Sequence, residues 1–145
     1  MLKNSKVLVI LVLLFLLIIF GLSALSINNK RQNMSLTKYN MEYNKYLNKT
    51  INGTELATLI NKAINQNDIN KIEKNEKNYY IENETDSIKI EIRIEQTKKT
   101  YSMEEFYNND TSEFVKFFSD DIFTCTSVEY HKSTGKISKM YFEQV

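Results

Sequence analysis

The chain has 145 residues, with 19 Lys and Arg against 18 Asp and Glu, one Cys, one His, three Gly and neither Pro nor Trp. These counts exclude a multidomain enzyme, a disulfide-stapled mini-protein, a Cys/His zinc module and a strongly basic nucleic-acid binder.

The first element carries the strongest signal. Val7 to Ile27 is a run of 21 uncharged residues, and Val7 to Phe20 is wholly aliphatic or aromatic. A helix of that length measures roughly 31 Å, which matches a hydrocarbon layer of roughly 30 Å. The run reads as one membrane anchor, residues 7–27, behind a short cytoplasmic tail, residues 1–6. Lys3, Lys6 and the terminal amine place the tail inside and the remainder outside, while Lys30, Arg31 and Lys38 on the far side reduce the asymmetry. A cleaved signal peptide is the alternative, because Gly21 interrupts the run and Ala24-Leu25-Ser26 has the small-x-small spacing of a cleavage site near Ser26. The C-terminal part would then be secreted. No Cys follows the run, so a bacterial lipoprotein anchor is not expected. Lys outnumbers Arg 17 to 2, and Asn (17) and Ile (16) are abundant, the bias of AT-rich bacterial codons.

Residues 28–50 carry Lys30, Arg31, Lys38, Lys45 and Lys49 against Glu42. Leu36, Tyr39, Tyr43 and Tyr46 recur there at helical spacing, with Ser35 as a possible N-cap. The spacing predicts an amphipathic stalk helix, continuous with the span or broken near 28–34. Its tyrosine stripe is either core or a contact surface for a partner. Residues 51–145 read as one small α+β domain.

Asn52 and Glu55 have the spacing of a capping box, and Ile51 with Leu56 that of a hydrophobic staple. They predict a sharply started helix that buries Leu56, Ala57, Leu59, Ile60, Ala63 and Ile64. Gln66 to Asn78 reads as a connector, and Tyr79-Tyr80-Ile81 as a short strand. Ile88, Ile90, Ile92 and Ile94 alternate with charges, which predicts a strand with one wet face in an antiparallel sheet. Ser102 with Glu105 marks a second helix start, and Ser112 a third. A hairpin closes the chain, Ile122 to Tyr130 and Lys136 to Glu143, with Gly135 supplying a positive φ in the turn. The expected fold is α+β: a transmembrane helix, one or two amphipathic helices, and a roughly four-stranded antiparallel sheet with short inserted helices.

Chemistry-bearing residues are sparse. His131 lies at the hairpin edge with no recognisable nucleophile and orienting acid around it, and reads as an exposed turn residue. Cys125 alternates onto the face of Phe123 and reads as a buried apolar residue. Tyr101 to Tyr130 holds Glu104, Glu105, Asp110, Glu113, Asp120, Asp121 and Glu129 against Lys116, without the ligand spacing of a calcium loop. It reads as a solvated acidic face that could dock a basic partner.

Asn52 to Ile64 (NGTELATLINKAI), behind a single span and a Tyr-rich helix, resembles a recurrent pattern in small one-span exported proteins of low-GC Gram-positive bacteria, as does the ending from Thr124 to Glu143. That resemblance implies no activity and carries no functional residue. The architecture is also similar to type IV pilins and pseudopilins, whose prepilin cleavage residue and helix glutamate have no counterpart before Glu42. Together these readings predict a single-pass bacterial protein that is not an enzyme and takes no cofactor, metal or nucleic acid. Its expected partners are the membrane and other envelope proteins, with Leu36, Tyr39, Tyr43 and Tyr46 as the expected contact residues and any small-molecule ligand open. The alternatives are a pilin-like polymer subunit and a ligand-binding exodomain.

Overall fold

The computed structural model describes residues 2–145, with side chains from Val7 onward. The 1–6 tail and the charges of Lys3 and Lys6 lie outside the described side chains. In chain order the elements are α1 (Leu2–Asn44), β1 (Thr50–Asn52), α2 (Gly53–Ile69), β2 (Lys89–Ile94), β3 (Lys99–Ser102), α3 (Met103–Asn108), α4 (Thr111–Phe118), β4 (Ile122–Tyr130) and β5 (Ile137–Gln144). The chain divides into two compact units, Met1–Lys38 and Tyr39–Val145.

In the first unit α1 presents apolar side chains on every face from Val7 to Ile27, none of them buried. By length and composition this helix can cross a membrane. Helix α1 runs without a break through residues 28–34, so Ser35 caps nothing.

The second unit is α+β. Its sheet has five strands in the order β1-β4-β5-β2-β3 and is mixed, not the expected four-stranded antiparallel one. Two antiparallel pairs, β2/β3 and β4/β5, are joined through β2 and β5, which run parallel with Ile90 opposite Met140 and Ile92 opposite Phe142. Antiparallel expectation followed from the wet face of β2, but a wet face fixes burial and not strand direction. Tyr79–Ile81 is not a strand: the Asn75 side chain accepts from the N–H groups of Lys77 and Tyr79, and Tyr80 makes only a single bridge to Lys74.

The predicted helix start is met. Asn52 Oδ1 accepts from Glu55 N–H at 2.8 Å, and the Glu55 carboxylate reaches back to the Asn52 N–H. Gly53 follows because a Cβ there would stand 1.8 Å from the Phe118 carbonyl oxygen, so α2 begins against the end of α4. Helix α2 buries its predicted apolar face and adds Asn67, whose amide bonds both backbone groups of Ile88 at 2.8 Å. One side chain thus satisfies a buried donor and a buried acceptor just ahead of β2.

The core joins Ile88, Ile90, Ile92 and Ile94 to Leu56, Leu59, Ile60, Ile64, Phe123, Met140 and Phe142. Across the sheet Lys139 sits between Glu82 and Glu91, and the Tyr141 hydroxyl donates to Glu129 at 2.8 Å, which keeps that face polar. The hairpin turn uses Gly135 at φ 68° as predicted. Asn40, from the last turns of α1, clamps that turn: its amide N–H donates to Gly135 O at 2.8 Å and its oxygen accepts from Ile137 N–H at 3.0 Å.

Candidate functional site

An open aromatic surface of the second unit lies between α3 and α4. Tyr101, at the end of β3, places its ring 5.5 Å from Phe106 on α3, and Phe106 meets Phe114 on α4 edge-on at 4.7 Å. Phe114 continues inward to Phe118 at 5.1 Å and Phe123 at 5.9 Å. The rings form a file from the sheet edge to the core, the tilted geometry that aromatic quadrupoles favour.

Asp110 makes the turn between the two helices. It adopts φ 71°, and its carboxylate accepts from the Ser112 N–H at 2.9 Å, which holds it below the usual carboxylate range. Helix α4 is therefore capped by Asp110 and not by the expected Ser112. On α3 Glu105 accepts from the Ser102 N–H at 3.2 Å, the reach-back half of the expected capping box. The cleft between these helices has a volume of about 230 Å³, with Glu105, Asp110 and Glu113 among its lining and Phe117 at its mouth. Phe117 is 68% exposed, and the Lys116 ammonium lies 5.7 Å above its ring. Aromatic faces beside carboxylates favour an organic cation: the rings attract the charge and cover a methylene stem, and the carboxylates compensate it.

The expected contact residues are placed differently from this cleft. Tyr43 is 1% exposed, and Tyr39 and Tyr46 pack half-buried on the same core. Tyr39 and Tyr43 rings stand 5.3 Å apart, and the Tyr39 hydroxyl donates to Ile137 O at 3.4 Å. Burial pushes the Tyr39 phenol up to about 12, with Asp86 and Glu42 adding to it, and burial raises Tyr43 further. Leu36 is half-buried on α1 within the first unit.

His131 is not an exposed turn residue. It is 7% exposed, and its Nε2 donates to Ser87 O at 2.7 Å, which requires the proton on that nitrogen. The bond ties the hairpin to the 82–87 turn, alongside Lys136 with Asp86 and the Thr134 hydroxyl with Thr85 O at 2.9 Å. Cys125 is fully buried, as its alternation implied, and burial raises its thiol to about 11. A thiol so raised is not a nucleophile at neutral pH. Among the described residues no group of three or more His, Cys, Asp or Glu is arranged to hold a metal ion.

The cleft was missed because its residues were divided between a helix and an acidic face. One signal was available. Phe114, Val115, Phe117 and Phe118 cover a wider arc of α4 than one core-facing stripe needs, so one of them must face outward. Comparison with protein-family models, with curated proteins and with solved structures gives no match for this chain.

Proposed function

We propose that this chain is a single-span protein of a bacterial cytoplasmic membrane, N-terminus inside and sheet domain outside, that works by protein contact as an accessory or assembly subunit and not as an enzyme. The observation that carries the reading is the cleft: an exposed phenylalanine at the mouth of an aromatic, acid-edged groove. Helix α1 supports the membrane half of the reading through its length and composition.

The test is the native mass of a C-terminally tagged copy extracted from its own host membranes in mild detergent. A mass well above one 17.1 kDa chain plus its detergent belt supports the reading, and a lone monomer overturns it. Protease added to intact cells checks the orientation: loss of the sheet domain agrees with it, and full protection reverses it.

A ligand-sensing exodomain has one observation in its favour. A groove of about 490 Å³, lined by Glu82, Glu84, Tyr130, His131 and Lys132, falls in the size range of small-molecule sites. A ligand-dependent rise in the unfolding temperature would select that reading.

A further inference from the structure

We propose that the α3–α4 cleft receives a lysine or arginine side chain from the basic segment around residues 30–38 of a second copy of this chain. The proposal rests on the protein-contact reading and names the partner.

Size comes first. A volume of about 230 Å³ is below the roughly 300–1,000 Å³ of small-molecule pockets, and suits one long side chain entering from the mouth. Chemistry comes second. Phe106 and Phe117 offer ring faces to an alkyl stem and its cation, and Glu105, Asp110 and Glu113 supply the opposite charge. The Lys116 ammonium, 5.7 Å from the Phe117 ring centroid, shows a cation already set against this ring.

Charge selects the occupant. The stretch from Tyr101 to Tyr130 holds seven acids against one lysine, whereas Lys30, Arg31 and Lys38 lie in a stretch, residues 28–41, with no acid at all. All three cations are exposed. Both halves of a complementary contact are thus present in one sequence. Copies held by α1 in one membrane share a plane, which raises the effective concentration of each for the other. Donor and acceptor are different surfaces, so copies assemble either head to tail through a heterologous contact or as a two-fold pair by mutual exchange.

A benzophenone analogue of phenylalanine placed at position 117 of the full chain, expressed in bacterial membranes and irradiated, reads the occupant. The expected product is a two-copy adduct whose linked peptide maps to residues 28–41. Linkage to a different protein, to another part of the second copy, or no protein adduct overturns the assignment. The native mass is then compared for the wild type, Phe117→Ala and Glu113→Gln. Phe117 and Glu113 are exposed, so neither change disturbs the core. Self-association is expected to weaken about fivefold for Phe117→Ala, and further at about 0.5 M salt, where the charges are screened. If both variants keep the wild-type mass, the contact reading stands and this occupant is wrong. If the wild type is itself monomeric, both fall.

Discussion

Isoleucine serves both units of this protein under opposite rules. In α1 Ile18 is 59% exposed and its apolar neighbours cover the whole circumference, while in the sheet domain Ile92 is fully buried and charged residues occupy the positions between. A helix that is apolar on every side has no face to distinguish, the composition that suits a membrane span. The sheet is patterned because water lies on one side only, and a one-residue slip would expose all four isoleucines. Apolar content alone therefore says little, and its period says which faces of an element are suited to water.

The largest effect should separate the two rules directly. Ile92→Ala should destabilise the sheet domain by about 2–5 kcal/mol, whereas Ile18→Ala should leave its urea midpoint unchanged. Both are measured on the full chain in detergent micelles, and equal shifts would abolish the distinction. Next, the patterned unit depends on a buried polar group that the uniform one does not need. Asn67→Ala strips the partners from the Ile88 N–H and carbonyl and should lower stability by about 2–3 kcal/mol, read by the same unfolding curve.

Only the sheet domain should respond to acid. Lys136 beside Asp86 holds its carboxyl below the usual range, and Thr85 assists. Because the folded-state value is depressed, the contribution is complete above the unfolded value of about 3.9 and disappears as pH falls through the folded one. The pair is part-exposed, so its worth is about 1 kcal/mol at most. Asp86→Asn should flatten stability against pH below about 4 by that amount. The smallest effect falls at Tyr43, whose buried hydroxyl has no hydrogen-bond partner among the described residues. Tyr43→Phe should shift the midpoint by less than about 0.5 kcal/mol or stabilise slightly. A loss above about 1 kcal/mol would mean the hydroxyl has a partner in solution.

Elements with a local code were legible in the sequence. The apolar run, the Asn52–Glu55 box, the isoleucine alternation and the Gly135 turn each rest on residues within a few positions of one another. What was not legible depends on residues far apart in sequence. Strands of three and four residues, β1 and β3, are too short to show a period. The parallel pairing of β2 with β5 is a decision of topology. His131 is buried by a carbonyl 44 positions away, and no neighbour of a lone histidine announces that. The cleft falls between these cases: its caps and aromatics were visible, but the left-handed Asp110 that turns α4 against α3 was not, so the rings could not be paired from sequence.

The place of β5 has a consequence for how the chain is made. A ribosome delivers α1 first and Ile137–Gln144 last among these elements, yet that last strand lies in the middle of the sheet, between β4 and β2. It also brings the Ile137 N–H that Asn40 bonds, 97 residues after Asn40 itself was made. Until it emerges, the sheet consists of a β2/β3 hairpin and a separate β1/β4 pair with no strand to join them. Stability arrives in one late step, and a premature stop ahead of Ile137 removes the seam of the domain rather than its edge.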